Sequence, residues 1–142
     1  MTNGIAVRSF SLIESERDSL LLVSFLEDGS GDFLVSIEAH VDGFSGHADG
    51  HVAGAEWLQF VADLQQLAQS RKGAARVRSA DPEGFELSIH TIDSLGHVAT
   101  SGTLRFRRPG AEWPQQELAF GFAFDPSRLE TVIKVLHDNP VT

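Results

Sequence analysis

Cysteine is absent from the 142 residues of this chain, which excludes disulfides, thiolate nucleophiles, iron–sulfur clusters and cysteine zinc sites. Any metal would have to be held by histidine, aspartate and glutamate. No apolar run approaches membrane-spanning length, and residues 1–10 show neither a basic start with an apolar core nor a small-residue cleavage site. The expected compartment is the cytoplasm. Signatures of chemistry are missing too. His-Glu-x-x-His does not occur, and the glycines at 43, 46, 50 and 54 match neither G-x-G-x-x-G nor the Walker pattern. Gly43-Phe44-Ser45-Gly46 brings its second glycine one position too early for a hydrolase elbow. Neither a cofactor nor enzymatic activity is expected.

What is present is acid, unevenly placed. The formal net charge is −9; residues 1–70 hold eleven of the twenty acids against Arg8 and Arg17, and the remaining charges balance. An acidic half repels phosphate backbones and anionic headgroups, so nucleic acid and membrane surfaces are not expected partners, whereas a basic protein is. The same charge also keeps a protein soluble without any partner.

The length suits one domain, residues 1–142. Half-buried alternation predicts strands over Ile5 to Leu12, Leu20 to Leu26 and Phe33 to Val41, separated by turn-forming residues. Residues 42–54, with four glycines and little periodicity, read as a loop or a distorted edge strand. From Glu56 to Ser70, Trp57, Phe60, Val61, Leu64, Leu67 and Ala68 follow the spacing of one helical face, and Gly73 stops the helix. Strands follow over Ala74 to Ser79, Phe85 to Ile92, His97 to Arg107 and Glu117 to Phe124. Asp125-Pro126 then opens a closing helix that carries Leu129, Val132, Ile133 and Leu136. The expected fold class is α+β: a largely antiparallel sheet of about seven strands with one central amphipathic helix and a C-terminal helix.

The candidate site residues fall into three groups. His40, His47 and His51, with Asp42 and Asp49 between them, place five borderline or hard ligands close together, with His47 and His51 as the metal candidates. Loop histidines and aspartates that solvate a turn have the same composition. Glu38 with His40, and Glu86 with Ser88 and His90, alternate along strands and share faces, as acid–base groups or as an ordinary solvated sheet face. Trp113 lies between Pro109 and Pro114 where no periodic face buries it, which suits an interface anchor or a ring folded over a sheet edge. Arg76, Arg78, Arg105, Arg107 and Arg108 form a basic strip if their strands are neighbours.

Several segments together resemble the WapI-like bacterial immunity proteins: Val41-Asp42-Gly43-Phe44-Ser45-Gly46, then Trp57 with Phe60 and Leu64, Gly73-Ala74-Ala75, Gly96-His97-Val98 and Leu118-Ala119-Phe120-Gly121-Phe122. The likeness spans roughly residues 20–137. It departs at Asp125-Pro126, where the family usually opens its last helix with Asp-Gln. The resemblance implies a non-enzymatic protein that neutralises a toxin by binding it, and supplies no catalytic residues. Combined with the charge, it points to a basic toxin met by Glu38, Asp42, Asp49 and Trp113. The alternative is a metal- or small-ligand-binding domain using His40, His47, His51 and neighbouring acids. A homodimer through an exposed strand edge is compatible with either.

Overall fold

The computed structural model describes residues 7–14, 16–80, 84–106 and 116–137. Strands β1 (Arg8–Ile13), β2 (Leu20–Glu27) and β3 (Phe33–Val41) form where alternation places them. Phe10 and Leu12, then Leu21, Val23 and Phe25, then Phe33, Val35, Ile37 and Ala39 all point to the core. The chain then turns at Asp42 and Gly43, with φ of +51° and +86°, and runs back as β4 (Phe44–Val52). Positive φ at both central residues is the twist that a two-residue hairpin needs, and Asp-Gly supplies it.

Strand β4 corrects the reading of residues 42–54 as loop or distorted edge strand. It lies at the sheet edge, but it is regular and pairs with β3 from Val41↔Phe44 to Phe33↔Val52. Its alternation is of size rather than hydropathy: Gly46, Ala48, Gly50 and Val52 take one side, and Ser45, His47, Asp49 and His51 the other. The small residues sit where another layer arrives. A Cβ on Gly46 would lie 2.7 Å from Leu118 Cδ2, and one on Gly50 would collide with Ser79 Cβ and lie 2.9 Å from Phe85 Cε2. These glycines let two backbones approach closely.

The second correction concerns the sheet. The single sheet of about seven strands is two four-stranded antiparallel meanders, β1-β2-β3-β4 and β5-β6-β7-β8. The second comprises β5 (Ala74–Arg78), β6 (Phe85–Thr91), β7 (Val98–Phe106) and β8 (Gln116–Phe124). A 17-residue helix, α1 (Gly54–Ser70), separates the meanders in sequence, so β4 and β5 do not join as a hairpin. The sheets pack across β4 instead, where Gly46 meets Leu118 and Gly50 meets Ser79 and Phe85, and they are also joined at their corners. Ala80 N donates to the His51 carbonyl at 2.7 Å, and Glu14 makes an isolated bridge with Phe124.

Helix α1 buries Trp57, Phe60, Val61, Leu64 and Leu67, the apolar face that its spacing predicts. It starts without a side-chain cap of its own: Asp32, from the β2–β3 loop, accepts the Gly54 amide at 2.9 Å. The helix ends at Arg71, which adopts a left-handed conformation (φ +56°) and donates its amide to the Leu67 carbonyl at 2.8 Å. The closing helix α2 (Arg128–His137) buries Leu129, Val132 and Leu136 and packs against β1 and α1. Asp125 precedes it as expected, accepting the Ser127 amide at 2.9 Å. One contiguous core joins both sheets and both helices.

Candidate functional site

Because side chains alternate along a strand, the core positions of β1–β4 determine which residues face outward. Cross-strand register then sets them in rows. Ser9, Ser24, Ser36 and Asp49 form one row; Ser11, Leu22, Glu38 and His47 the next; Ile13, Leu20, His40 and Ser45 a third. A fourth runs through Leu26, Leu34 and His51. The outer face of the first sheet therefore mixes serines with aliphatic side chains toward β1–β2 and carries acids and histidines toward β3–β4.

Each histidine on this face meets a carboxylate. His40 Nε2 lies 2.7 Å from Glu38 Oε2, and His47 Nε2 lies 3.0 Å from Asp49 Oδ1 and 2.8 Å from Ser36 Oγ. His51 Nε2 lies 2.9 Å from Asp28 Oδ2 and 3.6 Å from Asp32 Oδ2. Asp42 stands at the hairpin turn, 3.3 Å from Arg17 Nη1. Glu38 and Asp49 thus share the outer face of the first sheet, Asp42 stands at the hairpin that ends it, and Trp113 lies outside the described residues.

His47 and His51 are four residues apart on a strand, about 13 Å by strand rise, so they do not converge on one point. His51 instead groups with Asp28 and Asp32, the three candidate ligand atoms lying within 4.8 Å of one another. Both carboxylates already serve the fold. Asp28 Oδ1 accepts the Ser30 amide at 2.8 Å and the Ser30 hydroxyl at 2.6 Å, and Asp32 holds the first turn of α1. The group ties the β2–β3 loop to the end of β4 and to the start of α1.

The acid–base groups do not assemble. Glu38 and His40 are on the first sheet and Glu86, Ser88 and His90 on the second, where Ser88 Oγ lies 3.2 Å from His90 Nδ1. Arg76, Arg78 and Arg105 do share the outer face of the second sheet, around a groove of about 740 Å³ that Ser88, Ser101 and Thr103 also line, except that Arg105 stands at its end. Arg105 is bound there by Glu86 at 2.6 Å and Glu117 at 3.0 Å, which removes most of the strip's positive charge. Arg107 and Arg108 lie outside the described residues.

The sequence model of the Immunity protein WapI-like family matches residues 12–139. The chain belongs to this family. No curated protein and no solved structure matches it. The match runs from the last two residues of β1 through α2, so it takes in both sheets, short of most of β1, and both helices. Among the described residues no helix is long and apolar enough to cross a membrane.

Three carboxylates held below their ordinary range, Asp28, Asp93 and, through the Ser127 amide, Asp125, give this WapI-like domain a defined acid response. Hydrogen bonds from the Ser30 hydroxyl and amide, with His51 nearby, hold the Asp28 carboxyl below its ordinary 3.8, and a hydrogen bond from His97 does the same for Asp93. A carboxylate with a lowered folded-state pKa adds stability above its unfolded value, and that stability is lost as pH falls through the folded value. Asp28→Asn and Asp93→Asn are therefore expected to flatten the decline in unfolding free energy below pH 4. Urea denaturation at a series of pH values from neutral to strongly acidic checks this, and a decline as steep as in the parent protein would refute it.

The register that builds the candidate face was partly legible beforehand. Asp42-Gly43 between Val41 and Phe44 is a hairpin signal, and it would have placed β4 against β3 and His47 opposite Glu38. The partnership of Asp28 and Asp32 with His51 had no local signal, because it joins positions 19 or more residues apart.

Proposed function

We propose that this protein is a non-enzymatic immunity protein that binds and neutralises a cognate toxin, using the outer face of its first sheet. The observation that supports the reading is the placement of Glu38 and Asp49 on one face of the first sheet, with Asp42 at the adjoining hairpin turn, in a domain that belongs to an immunity family. That side carries acid next to half-exposed leucines, the mixture of charged rim and apolar centre that protein interfaces show. A basic toxin suits it, and its charge would speed encounter and set specificity. The reading puts the protein in the cytoplasm, where it would meet a delivered toxin.

The test uses a basic toxin isolated by pull-down from the source organism, co-expressed with the protein and then titrated against it at rising salt. Protection from growth arrest and salt-weakened binding are expected. Glu38→Lys with Asp49→Lys should weaken binding by about tenfold or more, since like charges then face each other, while Glu130→Lys on α2 should leave it unchanged. Absence of protection would refute the immunity role. Binding indifferent to salt and to the double reversal would refute the acidic face. Light scattering of the purified protein separates a monomer from a homodimer.

A further inference from the structure

The outer face of the first sheet has a depression of about 500 Å³ between β2, β3 and the end of β4. Its floor is apolar. Leu26 and Leu34 are cross-strand partners there, and Val7 adds a third aliphatic side chain; Leu34 is 45% exposed and Val7 61%. Ser24 and Ser36 form one side, and Asp49 and His51 stand at the lip on β4. No lysine or arginine is among the described residues lining it.

The lip is negative whatever the histidines do. His51 is shared by Asp28 and Asp32, so that corner keeps net negative charge even when the imidazole is protonated. Among the described residues Asp49 has His47 alone as its ion-pair partner, and its side chain remains 70% exposed. An apolar trough ending in carboxylates fits one type of side chain: a long aliphatic stem with a cationic head. The level of Leu34 is two residues of strand, about 7 Å, from that of Ser36 and Asp49, a span that an extended arginine or lysine stem covers.

We propose that this depression is an anchor pocket for a single arginine or lysine side chain of a basic protein partner. The stem lies on Val7, Leu26 and Leu34, and the charged head reaches Asp49. The proposal rests on the binding reading above and deepens it, converting a diffuse acidic face into one site. A long stem that covers apolar surface while its cationic head stays at an exposed carboxylate combines packing with charge recognition, the combination that suits an interface anchor.

The experiment titrates ¹⁵N-labelled protein with Nα-acetyl-arginine methylamide and, separately, with its neutral citrulline counterpart. Amide shifts concentrated at Ser24, Leu26, Leu34, Ser36 and Asp49 are expected for the arginine compound. Citrulline should bind about fivefold more weakly, the scale of one exposed ion pair, and Asp49→Asn should weaken the arginine compound to the same degree. Leu34→Ser should weaken both compounds alike. Because Asp49 and Leu34 are exposed, neither change threatens the fold, and the same spectra report it. Shifts scattered over the acidic surface, equal binding of citrulline, or indifference to Asp49→Asn would overturn the pocket. These outcomes are independent of the toxin: a probe that binds as expected without any toxin protection sinks the immunity reading alone, and the converse sinks the pocket alone.

Discussion

Replacing Trp57 by alanine is expected to remove about 3–5 kcal/mol of stability, the range for large aromatic truncations in a packed core. The indole is 3% exposed, and its ring centroid lies 5.0 Å from that of Phe25, 5.4 Å from Phe33 and 5.4 Å from Phe60. Those partners come from β2, β3 and α1 itself, so the ring fastens the helix to the first sheet. The cavity would open where three aromatic side chains meet, and stiff rings collapse into a void poorly. For a domain of this size the midpoint of thermal unfolding should fall by about 10 °C. Trp57→Phe keeps a ring in the cluster and should lose clearly less. Urea denaturation followed by circular dichroism measures both, and a loss below about 1 kcal/mol for Trp57→Ala would contradict the packing.

Gly50→Val should also destabilise strongly, by about 2–3 kcal/mol, through overpacking rather than a void. The new Cβ would collide with Ser79 Cβ and come within 2.9 Å of the Phe85 ring. Neither neighbour can yield cheaply. Ser79 is 5% exposed, its hydroxyl accepts the Phe85 amide at 3.0 Å, and a Cβ on nearby Gly84 would collide with that same hydroxyl. Valine favours strands in general, so a propensity argument predicts the opposite sign. Gly29→Ala is the contrast: its φ is +91° with nothing within 4 Å, and its cost of about 1 kcal/mol comes from the backbone alone. Equal losses at the two positions would show that the sheets do not meet at Gly50.

The two glycines illustrate why residues 42–54 were hard to read. In β3, burial is written as Phe33, Val35, Ile37 and Ala39, and alternation of hydropathy exposes it. In β4 the inward positions are Gly46, Ala48, Gly50 and Val52, because the second sheet leaves little room. Glycine has no hydropathy to alternate, so a strand looks like a loop. Helix α1 was legible for the converse reason: its apolar residues are large, and 3.6-residue spacing admits one face.

The sequence by itself determined the two helices, seven of the eight strands, the inward sides of β3, β8 and both helices, the acidic bias of the first half and the family resemblance. Local periodicity carries the elements and their faces, since the apolar side of a helix or strand depends only on its own residues, and composition carries the charge. Tertiary structure decided that the strands divide into two sheets, that β4 completes the first, and that Glu38 and Asp49 share a face with His40 and His47. It also decided that His51 belongs with Asp28 and Asp32 rather than with His47, and that Leu26, Leu34 and Asp49 enclose one depression. Sheet-to-sheet contact and most of the register set these neighbours, and both depend on hydrogen bonding and close packing between segments far apart in the chain; only the β3–β4 register has a local signal, the Asp42-Gly43 hairpin turn.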